Sequence, residues 1–167
     1  ESGALLGDWE EVDNQAPSIT GAVRLDIDVP LQKLPTIDEL RERWKDVEEG
    51  ARETRINRAM KLRAGYVLEG GRATHPVWIW QWGDAVIVGQ PGEAYSYFQM
   101  ELRRRHPERV IFVLNCTNGP GYMYLPTPAA YRRLRYQAWQ TLLAEGGLEL
   151  ITDEVSAAIA RLPKISH

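Results

Sequence analysis

The chain has 167 residues, with 20 basic and 23 acidic side chains, a net charge of −3 and 44% hydrophobic residues. That is ordinary globular composition and excludes a disordered tail, a collagenous chain and a disulfide scaffold. A pI near 5.7 with one short basic run, Arg103-Arg104-Arg105-His106, gives no general attraction to polyphosphate, so no nucleic-acid partner is expected. No stretch approaches the roughly 20 consecutive apolar residues of a membrane-spanning helix, so a soluble chain without a transmembrane segment is expected. A chain of this size can bury roughly 70% of its unfolded surface, enough for one compact domain without disulfide or structural metal. The single cysteine, Cys116, forms no internal disulfide and leaves the compartment open. The chain begins at Glu1 without methionine or leader, and the expectation is a processed protein or a piece of a longer one.

Residues 1–21 show no clear period and read as a lead-in. Residues 22–29 alternate, with Val23, Leu25, Ile27 and Val29 on one face, and predict a half-buried strand. Thr36 followed by Glu39 is a capping box, so a helix starts there. Leu40, Trp44 and Val47, then Ile56, Ala59, Met60 and Leu62 after Gly50, predict a charged helical hairpin or one kinked helix. Gly65, Gly70 and Gly71 mark a loop. Residues 77–82 and 85–88 flank Gly83-Asp84 and predict a two-residue β-hairpin, with Trp78, Trp80 and Trp82 on one strand face. Aromatic side chains so placed are expected to pack into the sheet core rather than form a ligand platform.

Residues 93–105 predict a helix with a basic last turn. The apolar run 110–114 predicts a strand buried on both faces, followed by the loop Asn118-Gly119-Pro120-Gly121. Helices over 128–144 and 148–162, separated by Gly146-Gly147, close the chain. Strands interleaved with helices make this an α/β (or α+β) fold, a mixed sheet with flanking helices that includes an antiparallel hairpin.

Ligands gather outside the carboxyl ends of strands in such folds. Two strand ends here deliver Glu93 on one side and Asn118, Tyr122 and Tyr124 on the other. If the strands are neighbours, a carboxylate and a phenol share one crevice. Taken alone, Glu93 reads as an acid placed at a helix start by the dipole, and the tyrosines as loop residues with wet hydroxyls. His75, His106 and His167 lack metal-ligand spacing and are expected at the surface. No Gly-x-Ser-x-Gly elbow or phosphate-binding loop occurs, so no residue is assigned as catalytic. The triplet Asn115-Cys116-Thr117 fits a glycosylation site but lies at the end of a strand expected to be buried.

The segment Val86-Ile87-Val88-Gly89-Gln90-Pro91-Gly92-Glu93, a helix, the strand at 110–114, then Asn118 to Tyr124-Leu125-Pro126-Thr127 and Tyr131, resembles the later part of the catalytic domain of neutral/alkaline, non-lysosomal ceramidases; Val29-Pro30-Leu31 with the helical hairpin after it, and Tyr136-Gln137-Ala138 with the Gly-Gly turn and last helix, also resemble the bacterial members. The likeness runs over most of the chain and is most specific between Gly89 and Tyr131. It implies a zinc-dependent amidase that hydrolyses the N-acyl bond of ceramide, with metal held by two upstream histidines, a glutamate matching Glu93 and a tyrosine matching Tyr122 or Tyr124. Gly92, Asn118 and Gly121 would border the substrate pocket. The tyrosine loop is about one residue longer than the family's usual form, and Ala94-Tyr95 departs from the family after Glu93. The histidine ligands and the family's supporting serine have no counterpart here.

The expectation is therefore residues 1–167 as a single domain that is the C-terminal portion of a larger ceramidase-like catalytic domain, inactive alone. Its zinc would be absent or weakly bound without the upstream part of the same polypeptide. A ceramide-like or other N-acyl amide would be the substrate of the whole. The alternative is a non-catalytic lipid- or protein-binding module on the same scaffold.

Overall fold

The computed structural model describes residues 19–65, 68–119, 123–133 and 135–163. The lead-in up to residue 18, Gly121, Tyr122 and His167 lie outside the described residues.

Strand β1 (Ile19–Pro30) follows the predicted alternation and buries Ile27 and Val29. It pairs antiparallel with β3 (Arg72–Trp82) along nearly its whole length. β3 turns at Gly83-Asp84 into β4 (Ala85–Gly89), with Trp82 opposite Ala85. Gly83 sits at φ 60°, a left-handed conformation that glycine adopts without a Cβ penalty, which is why the predicted two-residue hairpin forms. β2 (Leu68–Glu69) pairs with the start of β3 across Gly70 and Gly71, a small hairpin where the sequence predicts only a loop. From β4 the chain passes through α3 (Ser96–Arg105) to β6 (Val110–Leu114), which lies parallel to β4. The sheet order is β1-β3-β4-β6 with β2 beside β3, so the fold is α/β on a mixed sheet.

The capping box forms as predicted. Thr36 N–H donates to Glu39 Oε2 at 2.6 Å and Glu39 N–H to Thr36 Oγ1 at 3.1 Å, opening α1 (Ile37–Arg43). A separate α2 (Glu49–Ala64) follows, capped by the Glu48 carboxylate. The two helices bury Leu40, Trp44 and Ile56 in a satellite cluster with Trp139.

The helix expected over 128–144 is two short pieces, α4 (Pro128–Arg132) and α5 (Tyr136–Trp139). The rest of that segment spends its backbone on β1's exit instead: Gln32 N–H donates to Leu142 O and Ala144 N–H to Pro30 O, both at 2.9 Å. Tyr131 donates to Leu143 O at 2.9 Å, which folds the segment back. The last helix, α6 (Gly147–Ala160), starts after Gly146 at φ 92° and buries Leu148, Ile151, Val155 and Ile159 at helical spacing.

Helices α3 and α6 cover one face of the sheet, where Val77, Ile79, Val86, Val88 and Ile111 meet Phe98, Leu102 and Ile151. The opposite face is different. Val110, Phe112 and Leu114 are 56%, 48% and 47% exposed and Trp82 is 49% exposed, with Trp78 and Trp80 half-buried beside them. The expectations of a β6 buried on both faces and of core tryptophans are both corrected: the helices cover only one side of the sheet. His75 and His106, expected at the surface, are buried at 0% and 7% exposure. Among the described residues no helix is long and apolar enough to cross a membrane.

Candidate functional site

Glu93 does not start a helix. Its N–H donates to Met123 O at 2.7 Å, and with Ala94 it forms a two-residue strand, β5 (Glu93–Ala94), parallel to β7 (Tyr124–Leu125). Tyr95 continues the ladder, donating to Leu125 O at 3.2 Å, and α3 begins only at Ser96. The register sets Glu93 directly opposite Tyr124. This places a carboxylate and a phenol side by side at the carboxyl ends of the adjacent parallel strands β4 and β6.

The approach to Glu93 is closely packed. A Cβ on Gly92 would lie 2.0 Å from Leu125 Cδ1 and 2.6 Å from Met123 O, so the β5–β7 contact requires glycine there. Gln90, fully buried, clasps the turn: its Nε2 donates to Gly92 O at 2.6 Å and to Asn115 Oδ1 at 2.5 Å, while its Oε1 accepts from Gly92 N–H at 2.6 Å. Asn115 Nδ2 in turn donates to Ala94 O at 3.3 Å. Cys116 N–H donates to Gly92 O and Thr117 N–H to Gln90 O, tying the loop after β6 to the Pro-Gly-Glu turn. Cys116 and Asn118 take positive φ, 55° and 47°, to let the chain double back over that turn. Asn115 is exposed, contrary to the expected burial, and its amide is committed to this clasp.

The phenol of Tyr124 is held between the Glu93 carboxylate and the Tyr136 hydroxyl. Burial first, and then the negative charge of Glu93, raise its pKa, so it keeps its proton at neutral pH and remains a donor. The ring packs edge-on against Tyr136 at 5.6 Å between centroids. Cys116 lies close enough to Glu93 for that charge to add to burial in raising the thiol pKa. The thiol therefore stays protonated and a poor nucleophile. Gly92 and Asn118 adjoin the pair through the turn and the loop after β6. Tyr131 is removed from it: its hydroxyl is spent on Leu143 O and Ala144 O.

The histidines do not join the pair. His75 is sealed in the sheet near Gln90, and burial pushes its pKa down to about 4, so it is a neutral imidazole. Gln90 is the polar side chain that faces its ring. His106 Nε2 lies 2.8 Å from Ser156 Oγ, with Glu108 3.9 Å from its other nitrogen, a serine–histidine–acid sequence in outline. Ser156 sits inside α6, where the neighbouring N–H groups are spent in the helix, so no oxyanion hole accompanies it. Gln90 and Asn115 are the site residues that pattern reading passed over. The signal available was a glutamine directly before Pro91-Gly92, a turn whose amides need a fixed acceptor.

No protein-family model matches the sequence and no curated protein matches it. Solved structures similar to part of the chain include two ceramidases. A ceramidase complexed with C2 aligns over 55% of this chain at 17% identity with a TM-score of 0.42. A neutral ceramidase from Pseudomonas aeruginosa aligns over 56% at 20% identity with a TM-score of 0.41. The chain spans 16% of the length of each of these proteins.

Proposed function

We propose that this chain is part of the catalytic domain of a ceramidase-like amide hydrolase, in which Glu93 and Tyr124 contribute two oxygen donors to a zinc centre completed by histidines from the preceding part of the polypeptide. The observation that carries the reading is the β5–β7 pairing, which sets the Glu93 carboxylate against the Tyr124 phenol at a strand-end crevice. Tyr124 is our choice over Tyr122 because its backbone is in register with Glu93.

The donor chemistry fits half a centre. Carboxylate oxygen is an ordinary zinc ligand and a phenol adds a second oxygen, but four donors are the rule. Among the described residues no group of three His, Cys, Asp or Glu side chains converges to hold a metal. When bound, zinc supplies a Lewis acid for the amide carbonyl and for water. Within this chain, the Gln90 clasp fixes the Gly92 turn that leads into Glu93, and Asn115 braces β5 through the Ala94 carbonyl.

The bare sheet face supports membership in a larger domain. Parallel strands belong to sheets covered on both faces, and β6 is a parallel strand with its outer apolar side open. The remainder of the catalytic domain is the natural cover for it.

The test compares N-acyl amide hydrolysis by residues 1–167 alone with hydrolysis by the polypeptide that includes the upstream region. The reading predicts no turnover from the first and zinc-dependent turnover from the second. An upstream region with no paired histidines and no turnover would favour the non-catalytic binding module.

A further inference from the structure

A cavity of about 420 Å³ lies between the α1–α2 hairpin and the α4–α5 segment. Its volume is within the roughly 300–1,000 Å³ of small-molecule sites. Leu34, Leu40, Trp44, Leu62, Trp139 and Leu142 give it an apolar wall. Five cationic side chains also line it, namely Lys33, Arg43, Arg58, Arg63 and Arg135, and among the described residues no acidic side chain does.

The cations are poorly matched by protein anions. None of the five makes a salt bridge among the described residues. Glu39 is the acid whose charge Lys33 and Arg43 feel, and its carboxylate is already committed to the α1 cap. Arg63 spends one nitrogen on Pro35 O at 2.7 Å and Arg58 one on the Tyr136 hydroxyl at 3.3 Å. Gln140, also on the wall, has a buried amide nitrogen with no partner among the described residues. The rigid part of the wall is aromatic: Trp44 and Trp139 meet edge-on at 5.3 Å, and Arg55 lies over both rings at 5.8 and 5.6 Å.

We infer that this cavity binds a small amphiphile with a carboxylate head and an unbranched apolar chain. The wall removes the chain from water at roughly 25 cal/mol per Å². Guanidinium forks suit a carboxylate, which they can hold in bidentate fashion. At the roughly 30 Å³ that a water occupies, the cavity holds on the order of a dozen heavy atoms, the size of a ten-carbon carboxylate. A cationic amphiphile of equal length is excluded by the same five charges. The inference does not rest on the reading of Glu93.

Isothermal titration calorimetry of residues 1–167 with decanoate, below its micellar concentration, tests it. Saturable binding of one decanoate per chain is expected, with no binding of decyltrimethylammonium. Arg43→Gln combined with Arg135→Gln, both solvent-facing and outside any salt bridge, should weaken decanoate at least tenfold without lowering Tm. Ala59→Phe, which fills the cavity from α2, should abolish binding, and Glu93→Ala should leave it unchanged. No heat with decanoate, equal binding of the two amphiphiles, or full affinity in the double arginine variant would overturn the inference.

Discussion

At the scale of single residues, Gly92 and Gln90 decide whether Glu93 can face Tyr124. Gly92→Ala drives a methyl into Leu125 and the Met123 carbonyl, and backbone cannot yield as a side chain tip does. We expect a loss of roughly 1–3 kcal/mol in urea unfolding. Gly21→Ala, where nothing lies within 4 Å of the added methyl, should be close to neutral in the same assay. His75 gives a pH dependence with a definite sign. Its folded pKa, about 4, lies below the unfolded value of 6.5, so the unfolded chain binds the extra proton between those values. Stability is therefore complete above pH 6.5 and falls toward pH 4, by about 3 kcal/mol at most. His106, also depressed by burial, adds to the same slope. His75→Leu should flatten the slope of stability against pH over that window, and an unchanged slope would contradict the assignment. The sequence placed both histidines at the surface because ligand spacing says nothing about depth: His75 is carried inward by the register of β3 against Ile27.

At the scale of elements, the hairpin, the capping box and the strand at 110–114 were all legible, since each rests on local chemistry: a left-handed glycine, a reciprocal cap, an apolar run; the parallel pairing of β4 with β6 was not. β5 and β7 were not. Each is two residues long, and only their pairing across some thirty positions makes them strands. The same limit hid the true start of α3. Composition also misjudged β6, since five apolar residues predict two covered faces and the structure covers one. That uncovered face makes a prediction of its own. Residues 1–167 in isolation should bind a hydrophobic dye and self-associate, and Phe112→Lys with Trp82→Lys should reduce both, read by dye fluorescence and sedimentation. Dye binding and association equal to those of the unsubstituted chain would mean the face is already satisfied.

At the scale of the whole molecule, the sheet works as a bracket. One face is closed by α3 and α6, the strand ends hold the Glu93–Tyr124 pair, and among the described residues the other face leaves Val110, Phe112 and Leu114 exposed. Sequence could reach the two partners of the pair by resemblance, but not their adjacency, because that depends on the Gln90 clasp and on Asn118 and Cys116 turning the loop back. The central claim is that the pair is half of a metal centre. The most direct measurement is the zinc content of the polypeptide that includes the upstream region, by elemental analysis after exhaustive dialysis, beside its Glu93→Ala and Tyr124→Phe variants. One zinc per chain, lost in Glu93→Ala and weakened in Tyr124→Phe, is the predicted result. A full equivalent of zinc retained by Glu93→Ala would contradict the claim.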